Sequence, residues 1–134
     1  MLMSVEPSSA PTTTEQPKIY IAGPMTGIPR LNADAFNEVA DAFREANFTV
    51  FNPVDHDVAL YGEEWVEDHT GTNDAELAEK FDFDYGATLA DELHWICTYA
   101  DAIAMLPGWE FSKGARAEHA AAVACEIEIF YIHD

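Results

Sequence analysis

Apolar residues in this chain gather into short unbroken runs and longer helical stripes, and the two alternate. Lys18-Ile19-Tyr20-Ile21-Ala22-Gly23 is an apolar run stopped by Gly-Pro, as a buried strand is. From Asn32 to Asn47, Phe36, Val39, Ala40 and Phe43 recur at the helical period and form one stripe. Asn32 or Asp34 can cap that helix, and Asn47 suits the left-handed position after its end. Phe48–Phe51 is a second strand, closed by Asn52-Pro53. Thr88 and Asp91 have the spacing of a capping box, and Leu89, Leu93, Ile96 and Cys97 carry a helical stripe to about Ala100. Ala102–Leu106 is a buried strand, Pro107–Ser112 a loop, Lys113–Cys125 an alanine-rich helix and Ile127–Tyr131 the last strand.

Between them, Asp55–Gly86 is acidic and carries Trp65, Phe81, Phe83 and Tyr85 at irregular spacing. It reads as a long, partly ordered excursion over the sheet edge, with short helical turns at Glu63–Asp68 and Asp74–Lys80. Met1–Pro17, rich in Ser, Thr and Pro, reads as a disordered tail. A single α/β domain over residues 18–134 is therefore expected: a flavodoxin-like three-layer sandwich with a mostly parallel sheet of four or five strands. In such sheets ligands bind beyond the carboxyl ends of the strands, where strand order reverses. The loops after Gly23 and after Leu106 are then the ones that matter.

Charge narrows the partners. Six Lys and Arg against 25 Asp and Glu give a net charge of −19. A nucleic-acid surface needs clustered cations, so none is expected. The acidity reads either as a solvated surface or as a phosphate-mimicking face for a DNA-binding protein. Cys97 and Cys125 lie in helix-like stretches, are expected to behave as small hydrophobes, and fit a reducing cytoplasm. No secretory leader or membrane span is apparent. His56, His69, His94, His119 and His133 lack metal-ligand spacing, Asp82 and Asp84 read as solvated acids, and no cofactor is expected.

The candidate chemistry sits on the two loops and the helices beside them. Gly23-Pro24-Met25-Thr26-Gly27-Ile28-Pro29-Arg30 has glycines that admit a ligand to the backbone, a hydroxyl donor in Thr26 and an anion partner in Arg30. It is neither GxGxxG nor a Walker loop. Ser112 and Gly114 sit where a helix begins, with Lys113 and Arg116 nearby; Ser112 reads either as an N-cap or as part of a phosphate seat. Glu118, one turn on, stands among alanines, either solvated or held for use. Asp91, Glu92 and Asp101 are the carboxylates that could converge with it, as glycosidic cleavage requires. Trp109 can stack on a base or cap the core.

The stretches Lys18–Gly27, Phe36-Asn37, Asn52-Pro53 and Met105–Glu118 resemble a small phage-type family related to nucleoside 2-deoxyribosyltransferases and 2'-deoxynucleoside 5'-phosphate N-hydrolases. The resemblance runs from Lys18 to Tyr131, apart from the acidic excursion. It implies attack on the N-glycosidic bond of a 2'-deoxynucleotide or deoxynucleoside. Glu118 is the implied nucleophile, Ser112 the implied phosphate-binding serine, and Gly114 the glycine between them. Tyr20 and Gly23 are implied to line the sugar pocket, with Met25, Thr26, Gly27, Arg30 and Trp109 as further substrate contacts. Glu92, with its neighbour Asp91, and Asp101 are the implied supporting carboxylates. His119 departs from the small residue or Leu-Gly that usually follows the glutamate. Relatives are dimers or larger, so a homo-oligomer is expected. Two other readings stand beside this one: a nucleotide binder without turnover, and an acidic protein-interaction module. A phosphoribohydrolase of the cytokinin-activating type ranks lower, since its PGGxGT loop is replaced here by Pro107-Gly108-Trp109-Glu110.

Overall fold

A computed structural model of the protein describes residues 15–133. Four strands form one all-parallel sheet: β1 (Lys18–Ala22), β2 (Thr49–Phe51), β3 (Ala102–Met105) and β4 (Glu128–Tyr131). Their order in space is β2-β1-β3-β4, the flavodoxin-like arrangement. Tyr20 pairs with Phe51 on one side and Ile103 on the other, and Ala104 pairs with Phe130.

The pleat divides the core. Ile19, Ile21, Ala102 and Ala104 face one layer, built by α1 (Ala33–Glu45) and three helices of the acidic segment. Tyr20, Ala22, Ile103 and Met105 face the other, built by α5 (Tyr85–Tyr99) and α6 (Lys113–Ala124). Both faces of the central strands are covered, so their side chains are apolar throughout, as parallel strands require. In α1 the expected stripe packs as read, with Phe36 and Ala40 buried. Asn47 adopts φ 70°, the left-handed turn expected of it.

Several expectations need correcting. The helical turns expected at 63–68 and 74–80 are present, but the acidic segment is more than a partly ordered excursion. It folds as α2 (Pro53–Tyr61), α3 (Glu63–Glu67) and α4 (Asp74–Lys80). Helix α2 starts with a cap and a proline. Asn52 Oδ1 accepts from Val54 N at 3.0 Å, Pro53 fills the first turn, and Asn52 Nδ2 donates to Asn37 Oδ1 at 2.9 Å. Trp65, Val66 and Leu77 are buried in the first core layer, so the segment belongs to the domain. Helix α5 begins a turn earlier than its sequence suggests. Asp84, not Thr88 with Asp91, is its cap, accepting from Ala87 N at 3.0 Å. Asp84 is thus a structural residue and not merely a solvated acid. Asn32 precedes α1 in a left-handed conformation and donates to Pro24 O instead of capping.

The cysteines also differ from expectation. Cys97 and Cys125 are exposed. Their thiols neighbour each other, and the contact with Cys125 pushes the Cys97 thiol up. The tail expected over residues 1–17 lies outside the described residues as far as position 14. Its last part is seated: Pro17 O accepts from Thr49 N, and Gln16 Oε1 accepts from Thr49 Oγ1. Among the described residues, no helix is long and apolar enough to cross a membrane.

Candidate active site

β1 lies between β2 and β3, so the chain leaves β1 and β3 in opposite directions and opens a crevice at their carboxyl ends. There the structure holds a cavity of about 580 Å³. The loop after Ala22 supplies Gly23, Met25 and Thr26, and the start of α6 supplies Ser112, Lys113 and Gly114. Gly23 is there because nothing larger fits. A Cβ on it would stand 2.7 Å from Leu106 Cβ, against a strand neighbour that cannot swing away. Gly23→Ala should lower stability by about 1–3 kcal/mol through forced overpacking, read as a fall in the thermal midpoint.

Three side chains make the chemical centre. Helix α6 buries Ala115, Glu118 and Ala122 on one face, and the flanking alanines let that face approach the sheet. Glu118 Oε2 accepts a hydrogen bond of 2.7 Å from the Tyr20 hydroxyl, and both residues are buried. Helix α5 buries Thr88, Glu92 and Ile96 on its inner face. Glu92 lines the same cavity as Glu118, and the two carboxyls are close enough to act on each other. Burial raises both acids. It pushes Glu92 up to about 7, and the Glu92 charge adds to the rise of Glu118. Two adjacent carboxylates in an apolar wall hold one proton between them more readily than none. The Tyr20 hydroxyl favours the ionised form of both acids, and each acts on the other, so the pair takes up its proton as a unit. The Tyr20 phenol is itself held well above its usual range by burial and by the two glutamates.

Tyr20, Gly23, Met25, Thr26, Glu92, Ser112, Gly114 and Glu118 all line the one cavity. The other candidates lie elsewhere. Asp91 precedes Glu92, about a hundred degrees of helix turn away, and is exposed. Asp101 sits at the amino end of β3, the far end of the sheet, where it accepts from Lys18 N at 2.8 Å. Gly27 N is committed to Asp74 Oδ2 at 2.9 Å. The Arg30 guanidinium is tied to Glu67 and Asp34 outside the cavity, and both carboxylates push its pKa up. Trp109 stacks on His119 with ring centroids 4.2 Å apart and packs against the second core layer. It caps the core instead of lining the cavity. Arg116 is exposed and does not line it either. Ser112 is the N-cap of α6, its Oγ accepting from Ala115 N at 3.2 Å.

The acidic segment supplies the residues that sequence reasoning missed: Asp57, Trp65, His69, Asp74 and Phe83 complete the outer wall. Tyr85, half-exposed at the mouth, joins them, and a Cβ on Gly114 would come within 3.3 Å of its hydroxyl. Asn52-Pro53 was the available signal, since a cap followed by proline announces α2 and places Asp57 one turn on. Among the described residues, no group of three or more His, Cys, Asp or Glu is disposed to hold a metal ion.

Fold and cavity together define a class: a doubly wound α/β domain with a cavity at its switch point and two buried glutamates in the wall of that cavity. The chain belongs to the family described as a domain of unknown function, DUF4406, whose model matches residues 17–131. No curated protein and no solved structure matches it.

Proposed function

We propose that the protein cleaves or transfers the N-glycosidic bond of a 2'-deoxynucleoside or deoxynucleotide, with Glu118 as nucleophile. The observation that carries this reading is a buried cluster in one cavity wall, where the Tyr20 hydroxyl donates to the Glu118 carboxyl and a second buried acid, Glu92, lines the same cavity. A free oxygen of ionised Glu118 attacks the anomeric carbon. The carbon–nitrogen bond breaks, its electron pair stays on the base nitrogen, and the Glu92 carboxyl gives that nitrogen its proton. Glu92, now ionised, takes a proton from water or from an acceptor base as that nucleophile displaces the ester. The Glu118 carboxylate is thereby restored. A two-step, retaining route of this kind places no water between nucleophile and acid in its first step.

The lining also favours an uncharged ligand. Asp57, Asp74, Glu92 and Glu118 stand in the wall, against a single lysine, Lys113. A 5'-phosphate would add about two negative charges to that set. Deoxynucleosides should therefore be better substrates than their monophosphates by about tenfold or more in kcat/KM, and the gap should narrow as salt is added. The test is chromatographic release of free base from the four deoxynucleosides and the four deoxynucleoside monophosphates. Release from none of them would end the proposal.

A further inference from the structure

One buried acid in the cavity wall has no part in the chemistry just described. Asp57, on α2, lines the cavity and is 5% exposed. Its Oδ2 accepts from Trp65 Nε1 at 3.1 Å, while its Oδ1 is recessed and has no hydrogen-bond partner. A buried carboxylate oxygen without a donor is costly to keep. The Trp65 indole that holds Asp57 stacks on Phe83 with ring centroids 4.7 Å apart, so Asp57 stands beside an aromatic wall, and Phe36 lines the same cavity, which suits a flat ring.

We infer that Asp57 selects the heterocycle of the ligand, its free Oδ1 accepting a hydrogen bond from an exocyclic amino group. This rests on the N-glycosidic reading above. A carboxylate accepts and does not donate, so it matches a donor on the ring. An amino group projects beyond the ring edge and reaches a recessed oxygen, which a ring N–H does not. A keto group in its place sets oxygen against oxygen.

The measurement is base release at pH 7 from two matched pairs, deoxyadenosine against deoxyinosine and deoxycytidine against deoxyuridine. In whichever pair the enzyme accepts, the wild type should favour the amino member by about tenfold or more in kcat/KM. Asp57→Asn should erase or invert that preference while still releasing base from the keto member. A purely structural role would lower the thermal midpoint and leave the ratio unchanged. Should the Asn variant fail to fold, Trp65→Phe serves in its place. It removes the competing donor, keeps the carboxylate, and should preserve the amino preference. Equal rates for both members in the wild type, or a preference that survives Asp57→Asn, would overturn the inference and leave the glycosidic reading standing. Absence of base release from every nucleoside and nucleotide would overturn both.

Discussion

Glu118→Gln should reduce base release by at least about a thousandfold without unfolding the protein. Removing a nucleophile takes away the covalent route itself, and such losses are the largest that single substitutions produce. Glutamine is nearly the same shape, and its carbonyl oxygen can still accept from the Tyr20 hydroxyl that now meets Glu118 Oε2. The folded state therefore keeps its central hydrogen bond and sheds a buried ionisable group. The variant should melt no lower than wild type and should still be stabilised by added nucleoside, since binding to the native state alone raises the midpoint. Initial rates and thermal melts of the two proteins check both halves. A rate within tenfold of wild type would place the reaction on some other group.

Glu92→Gln should act on rate and stability together, and its stability effect should depend on pH in a fixed direction. Burial raises Glu92 to about 7. An acid whose pKa rises on folding is held protonated by the folded state. The associated stability is fully present below the unfolded value, about 4.3, and is lost as pH climbs through the folded value. Wild type should therefore lose stability between about pH 4.5 and pH 7, where the native state binds more protons than the unfolded chain. Glutamine never ionises. The variant should match wild type near pH 4.5 and exceed it by about 1–3 kcal/mol at pH 8. Thermal melts across that range read the gap directly, and a gap independent of pH would contradict the assignment. The rate should fall by about 10²–10⁴-fold, the usual worth of a placed general acid. The pH profile should lose the limb that reports deprotonation of the pair.

Both residues were candidates in the sequence, and the structure buries both in the cavity wall. A lone acid among alanines reads as solvated as readily as held for use, and only its place on the buried face of α6 decides for Glu118. Its neighbours at 115 and 122 pack as the helical period demands. Glu92 and Asp91 could not be told apart by composition. Helix phase decides between them, and that phase depends on Asp84 starting α5 a turn before the apparent box at Thr88. Asp101 attracted notice by adjacency to a strand, but a strand has two ends and only its carboxyl end opens onto the crevice. Arg30 and Gly27 were legible as a loop able to meet an anion. Their partners turned out to be Glu67, Asp34 and Asp74, all distant enough in sequence, or exposed enough, to leave no pattern.

The acidic segment illustrates the opposite case. Its helices are short and irregularly apolar, so no period emerges from Asp55 to Gly86. The order comes from tertiary packing: Trp65 lies against Phe83 at 4.7 Å and Phe81 at 5.4 Å, with His69 hydrogen-bonded to the Trp65 carbonyl. Backbone bonds then dock the segment on the glycine loop, with Arg30 N donating to His69 O. Isolated helices this short are marginal, and packing supplies what propensity does not.

The most direct measurement is to stop the wild-type reaction with acid in mid-turnover, digest the protein and weigh its peptides. If the account holds, the peptide containing position 118 carries a deoxyribosyl ester, and the same peptide from Glu118→Gln carries none. Free base released with that peptide unlabelled, or with the sugar attached at another residue, would contradict it.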